Sequence, residues 1–159
     1  MKTASVREIK QELSHCTQGE LIDIILRLSK HKKENKELLT YLIYESTDEE
    51  QFIKDVCEEV TQQFEVMNTS SYYLMKKSVR KVLRFCKKKI RFSKKKETEA
   101  EILLHFCFEL RQLKPSYKNN VVLVNLHNKQ VELIEKAVDS LHEDLQYDYR
   151  LELEQIPGY

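Results

Sequence analysis

Histidines paired with carboxylates at helical spacing are the first residues of this sequence that could support chemistry. Three such pairs occur, Glu12 with His15, Asp139 with His142, and Glu101 with His105. Their i, i+3 or i, i+4 spacing places both side chains on one face of a helix. In helical bundles, pairs of this kind hold two metal ions when they project into the middle. A chain this rich in carboxylates produces such pairs by chance. We therefore expect no metal and no cofactor, and a helical-bundle metal enzyme is the remote alternative.

Other catalytic groups are sparse. The two glycines, Gly19 and Gly158, are too few for a glycine-rich phosphate loop or a nucleophile elbow. The four cysteines form no Cys-x-x-Cys pair, which predicts free thiols rather than a zinc site or a redox disulfide. His105 lies among apolar residues, and Cys107 points to another side of the same predicted helix. We therefore predict that His105 is a core histidine bonded to backbone, and that the chain has no catalytic residue and is not an enzyme.

The clearest pattern in the sequence is a basic segment in its middle. Residues 76–96 contain 12 basic and no acidic side chains, whereas residues 1–75 and 97–159 each carry net negative charge. At about 100° per residue, most apolar side chains of residues 72–96 share one helical face and the cations fill the opposite arc. Leu74, Phe85 and Phe92 form a narrow stripe beside the cations. The residues predicted to contact a polyanion are Lys77, Arg80, Lys81, Arg84, Lys87, Lys88 and Arg91.

Several partners are compatible with this basic arc. The simplest interpretation is a solvated face, neutralised by carboxylates of the preceding helix. The carboxylates available for this are Asp55, Glu58, Glu59 and Glu65. The functional interpretation is non-specific binding of a nucleic-acid backbone, because lysines and arginines release counterions from phosphates. Tyr73, Phe85 and Phe92 flank the arc and could stack on unpaired bases. An acidic protein partner and an anionic membrane surface are further alternatives.

A second candidate surface lies near the C-terminus, where residues 141–149 mix tyrosines with carboxylates. Tyrosine gives a large contact area at small entropic cost, so Tyr147 and Tyr149 are candidate residues for docking a partner. The alternative is that both tyrosines pack on the bundle in a capping turn. A protein-interaction adaptor, or a scaffold that self-associates with acid facing base, is therefore the alternative to polyanion binding.

The elements that must position these residues are helices. Glycine and proline occur only twice each, which leaves little of the turn chemistry that sheets need. Capping boxes, in which a serine or threonine is followed three residues later by a glutamate, predict where helices begin. Their first residues are Ser5, Thr17, Ser46 and Thr98. Apolar spacing predicts further helices around residues 38–43, over residues 72–92, and from about 119 to 147.

The fold class predicted from these elements is all-α. We expect six or seven antiparallel helices in one domain over residues 1–149, with a C-terminal tail over residues 150–159. A short stack of helical hairpins is the alternative arrangement. The chain is 159 residues long and 41% hydrophobic, too apolar for a disordered chain. We expect no membrane span and no secretory leader, and hence a cytoplasmic protein.

The sequence shows two resemblances to known proteins. Residues 26–28 and 36–42, the basic stretch 76–81 and the segment 141–149 resemble those of small all-helical bacterial proteins of uncharacterised function. That resemblance implies a bacterial cytoplasmic helical domain and transfers no catalytic residue. The opening pattern of Val6, Ile9 and Leu13 is similar to the two-helix SAP-like nucleic-acid motifs, but it lacks their later glycine.

Overall fold

The computed structural model of the chain describes residues 1–156, which form eight α-helices and no strand. The all-α prediction is confirmed, and the helix count is eight rather than six or seven. The helices are α1 (Val6–Ser14), α2 (Gln18–His31), α3 (Lys33–Thr40), α4 (Glu49–Glu65), α5 (Tyr72–Ser93), α6 (Lys96–Gln112), α7 (Val121–Asp139) and α8 (Glu143–Glu154). A π-helical turn, Tyr41–Glu45, follows α3, and a 3-10 turn, Tyr117–Asn119, precedes α7.

Two of the four predicted capping boxes are confirmed. Ser5 with Glu8 begins α1, and Thr17 with Glu20 begins α2, each with both reciprocal hydrogen bonds present. The two later boxes are wrong. Asp48, not Ser46, caps α4 by accepting a hydrogen bond from the backbone N–H of Gln51 at 3.1 Å.

The tertiary structure explains why those two boxes fail. The predicted box at Thr98 lies inside α6, which begins two residues earlier at Lys96. Thr98 is buried, and its hydroxyl donates to Oε1 of Glu49 at 2.6 Å. Glu49 also accepts a hydrogen bond from Ser93. Both residues therefore connect α4 to the start of α6 rather than capping their own helices.

The extra helix comes from a break in the long helix predicted for the C-terminal part. α7 ends at Asp139, and α8 begins at Glu143, with His142 as its N-cap. Nδ1 of His142 accepts a hydrogen bond from the backbone N–H of Asp144 at 3.4 Å. The helix then continues to Glu154, across the predicted start of the tail. Pro157 and Gly158, predicted to stop the pattern, lie outside the described residues.

The chain divides into two compact units, Met1–Tyr44 and the part that begins at Glu45. The single domain predicted over residues 1–149 and the antiparallel arrangement of the helices both stay predictions. No helix in residues 1–156 is long and apolar enough to cross a membrane.

The second unit is organised around α6, which packs against α4, α5 and α7. The sequence of α6 is apolar on more than one side of the helix, which predicts such a central position. The fully buried side chains of α6 include Ile102, Leu103, Phe106, Cys107 and Leu110. α5 packs against both α6 and α4, and Lys77, Arg80 and Arg84 on its other side are exposed.

The first unit has a much smaller core, to which Tyr41 of the π-helical turn contributes a buried side chain. None of the residues in α1, α2 or α3 is buried. The spacing of Val6, Ile9 and Leu13 predicts that α1 buries these three side chains. The prediction is wrong for Val6 and Ile9, whereas Leu13 is half-buried. Val6 is 84% exposed and Ile9 is 44% exposed.

Candidate functional site

Two capping residues determine where α5 begins and ends, and its apolar face determines how the helix is rotated against the core. Ser71 caps the helix by accepting a hydrogen bond from the backbone N–H of Leu74 at 3.3 Å. Lys94 ends the helix in the left-handed conformation, with φ at 60°, and donates its N–H to the carbonyl of Ile90. The fully or nearly fully buried side chains are Met75, Val79, Val82, Cys86 and Phe92. The cations are therefore turned to the opposite side of the helix.

Most of the predicted polyanion-contacting side chains are accessible. Lys77, Arg80, Lys81, Arg84 and Arg91 are exposed, and Lys87 and Lys88 are half-buried. Within residues 1–156, no carboxylate lies within 4.0 Å of the charged nitrogens of five members of this set. Those five are Lys77, Arg80, Lys81, Arg84 and Lys87. We call them the open cations. The predicted neutralisation by α4 is therefore absent for these five.

The carboxylates near the end of α5 pair with other lysines. Nζ of Lys95 lies 3.4 Å from Oε2 of Glu49, and Nζ of Lys96 lies 3.0 Å from Oε2 of Glu99. Burial lowers the pKa of Lys87 below its usual value of 10.5, while Glu99 opposes that shift. The acidic residues at this end thus neutralise the loop after α5 and leave the middle of the helix positive.

A shallow groove of about 450 Å³ runs along this part of the helix. Its lining residues are Arg80, Leu83, Arg84, Lys87 and Arg91. Four of the five are cationic, so the groove is a concave surface of uniform positive charge. Such a surface attracts anions and concentrates them locally.

The predicted stacking aromatics are only partly available. Phe92 is 6% exposed because it belongs to the core face of α5, so its proposed role in stacking on bases is wrong. Nζ of Lys89 lies 5.4 Å from the ring centroid of Phe85 and 5.8 Å from that of Phe92. Tyr73, at 73% exposed, is the most accessible of the three predicted rings.

The structure separates the two tyrosines predicted to dock a partner. Tyr147 is 66% exposed, whereas Tyr149 is 6% exposed. The Tyr149 hydroxyl donates to Oε1 of Glu101 at 2.6 Å, which ties α8 to α6. Burial and this hydrogen bond raise the pKa of Tyr149 above its usual range. Tyr149 therefore has a packing role, and Tyr147 is the one of the pair that a partner can reach.

An acidic groove beside Tyr149 is a feature that the sequence analysis missed. It has a volume of about 560 Å³ and is lined by residues of α4, α6 and α8. Its four carboxylates are Glu97, Glu101, Asp148 and Glu152. Burial, followed by the charges of Glu101 and Asp148, raises the pKa of Glu152. Each of the two helices carries a carboxylate pair at i, i+4 spacing, which was the only sign of this groove in the sequence. The docking of α8 on α6 brings the two pairs together.

The predicted environment of His105 is also different in the structure. Its Nε2 lies 2.8 Å from the Thr61 hydroxyl, and that hydroxyl donates to Oε1 of Glu109 at 2.7 Å. His105 thus bonds to a side chain of α4 rather than to backbone. Burial raises the pKa of Cys57, which lines the same groove, to about 12. A thiol that stays protonated is a poor nucleophile.

The candidate metal pairs do not assemble into a site. Glu101 bonds to Tyr149, whereas His105 bonds to Thr61, so the two members of this pair have different hydrogen-bond partners. Glu12 and His15 are exposed at the end of α1. Across residues 1–156, no group of three or more histidine, cysteine or carboxylate side chains is arranged to hold a metal ion.

Comparisons with known proteins gave no identification. The chain matches no family model, no curated protein and no solved structure at a significant level.

Proposed function

We propose that the chain binds the phosphate backbone of nucleic acids through the basic face of α5. The observation that carries this proposal is the set of open cations, which have no ion pair within the described residues. Like charges held this close on one helix destabilise it. A ligand that neutralises them removes that repulsion. Binding of an anion is therefore more favourable at this face than at a face whose charges are already paired.

The geometry of the open cations suits an extended polyanion. Lys77 and Lys87 are ten residues apart, which is about 15 Å along a helix. A DNA duplex carries one negative charge per roughly 1.7 Å of its axis, so several phosphates fall within this length. The cations are on one arc, and the basic segment contains no sequence motif typical of proteins that read base edges. We therefore expect binding that is non-specific in sequence. We also propose that the protein performs this role in the cytoplasm.

Salt dependence is the direct test of this proposal. We expect the full chain to bind fluorescent DNA and RNA oligonucleotides at about 50 mM salt, where phosphate contacts are strongest. Five phosphate contacts predict a slope of about −4.5 for log affinity against log salt on duplex DNA. Fluorescence anisotropy measures both quantities. Absence of binding to either nucleic acid at low salt would overturn the proposal.

A charge-matched pair of variants shows whether α5 carries the binding. Arg80→Glu with Arg84→Glu should weaken affinity for every sequence tested and flatten the salt slope by about two. Lys118→Glu with Lys136→Glu changes net charge by the same amount at two exposed positions outside α5. This control should lose much less affinity. Equal losses in both variants would mean that only net charge matters, and the assignment to α5 would fail.

The acidic groove favours a second candidate function, self-association with acid facing base. Its four carboxylates and the open cations are opposite charges on one chain, so one copy can contact another through them. Such contacts weaken as the Debye length falls from about 10 Å at 0.1 M salt to about 3 Å at 1 M. An oligomer seen at low salt that dissociates at about 1 M salt would support this candidate.

A further inference from the structure

The first unit, Met1–Tyr44, exposes more apolar surface than a small monomeric segment normally does. Three of its elements are helices without a single buried residue. Eight of its large apolar side chains are between 39% and 84% exposed. They are Val6, Ile9, Ile22, Ile24, Ile25, Leu26, Leu28 and Ile43. A segment this short can bury only a small apolar core by itself, and association with another chain is one way to cover the rest.

The centre of this surface is α2. At about 100° per residue, its apolar side chains span an arc of roughly 200°, twice the width of the stripe that a surface helix presents to a core. α3 approaches one side of that arc, and a groove of about 270 Å³ remains between the two helices. Ile25, Leu28 and Leu38 are among its apolar lining residues. Ile22 and Leu26 lie on the other side of the arc, beyond the groove, and are about half exposed.

The amount of exposed apolar surface matches what an interface requires. A buried aliphatic side chain removes roughly 60–120 Å² of apolar surface from water. The eight half-exposed side chains, which lie on α1, α2 and the π-helical turn, therefore offer roughly 250–500 Å² together. A stable interface buries about 800 Å² on each partner, and a little over half of that is apolar. The groove also has room for a partner's side chains, since a cavity of about 150 Å³ accepts benzene.

Charge indicates that the covering surface is a second copy of the same segment. Met1–Tyr44 contains eight basic and six acidic side chains, so two copies repel each other little. Asp23 and Lys30 are seven residues apart, which places them at the same helical position beside Ile22 and Leu26. In an antiparallel pair of α2 helices, that spacing sets Asp23 of each copy opposite Lys30 of the other. The segment is therefore complementary to itself, as a two-fold interface requires.

We propose that Met1–Tyr44 forms the interface between two copies of this chain, with α2 packed antiparallel against α2 of the second copy. This inference is independent of the proposed function, because it uses no residue of α5. It also differs from acid–base self-association, since its contacts are apolar and persist at high salt.

Sedimentation equilibrium of the full chain tests the proposal. We expect a dimer over about 1–100 μM protein, a range that detects even modest affinities. The dimer should persist at about 1 M salt, where acid–base contacts are screened. A monomer throughout this range would overturn the proposal and leave a foreign partner as the occupant of the surface. A dimer that dissociates at high salt would also overturn it, in favour of acid–base pairing.

Substitutions locate the interface. Ile22→Glu with Leu26→Glu should weaken dimerisation by about 100-fold or more, because both charges would be buried. Val66→Glu with Val121→Glu, at exposed apolar positions of the second unit, is the matched control and should leave the dimer intact. Equal weakening by both pairs would contradict the assignment to α2.

A charge swap separates loss of the interface from loss of folding. Asp23→Lys should weaken the dimer by about threefold to tenfold by placing like charges opposite each other. Adding Lys30→Asp should restore affinity, because the reversed pair is again complementary. Failure of the second change to restore the dimer would show that the two copies do not pair antiparallel through α2.

Discussion

At the scale of single residues, the polar side chains of the second unit serve to join helices. Tyr149 bonds α8 to α6, Thr61 bonds to side chains of α6, and Thr98 bonds back to α4. Hydrogen bonds to charged groups contribute about 1.5–3 kcal/mol each, and a buried acceptor left without its donor is costly. These contacts therefore specify which helices meet, in addition to the apolar core.

Tyr149→Phe tests this interpretation. The substitution keeps the ring but removes the hydroxyl that donates to Glu101 at 2.6 Å. We expect the free energy of unfolding to fall by about 1–2 kcal/mol, because the partly buried carboxylate loses its donor. Urea denaturation measures this change. Tyr147→Phe, at a position 66% exposed, is the control and should change stability by less than about 0.5 kcal/mol.

At the scale of elements, α5 is the helix whose position matters most for the proposed function. Its apolar face was predictable from spacing, because a 3.6-residue period sorts side chains by face without knowledge of partners. The polar cluster Asn68–Ser71 before it predicts a turn and a cap, but several of its residues are suitable caps. In the structure, Ser71 accepts from Leu74, whereas Asn68 accepts from the backbone N–H of Ser70.

Ser71→Ala should therefore destabilise the helix that carries the basic face. Loss of an N-cap side chain costs about 1 kcal/mol, because a backbone N–H of the first turn loses its acceptor. Ser70→Ala is a matched control, since the Ser70 side chain accepts no such bond. Thermal unfolding followed by circular dichroism should show a lower midpoint for the first variant alone. A similar loss in both would mean that the turn, rather than the cap, determines stability.

At the scale of the whole molecule, charge separation and the division into two units are the main features. The basic face of α5 and the acidic groove are both in the second unit, while the exposed apolar surface of α2 is in the first. We propose a polyanion as the ligand of the basic face and a second copy of the chain as the partner of the apolar surface. Binding of a polyanion to the folded state should stabilise the second unit.

Inorganic polyphosphate provides a test of that stabilisation without nucleic-acid bases. At about 100 times its dissociation constant, a ligand adds about 2.7 kcal/mol to stability, which is a rise of roughly 5–10 °C in Tm for a chain of this size. Scanning fluorimetry should show this rise for the wild-type chain and for Lys118→Glu with Lys136→Glu. The Arg80→Glu, Arg84→Glu variant should show little or none. A rise of the same size in that variant would place the anion elsewhere.

The sequence by itself determined the helical class, the caps of α1 and α2, and the direction in which α5 turns its cations. Each of these depends on interactions within one or two helical turns, so composition and spacing suffice. Only the tertiary structure decided that Thr98 bonds Glu49, that Tyr149 is buried, and that carboxylates from α6 and α8 share a groove. These contacts join residues about 50 positions apart, and their partners depend on how the helices dock, which no local pattern encodes.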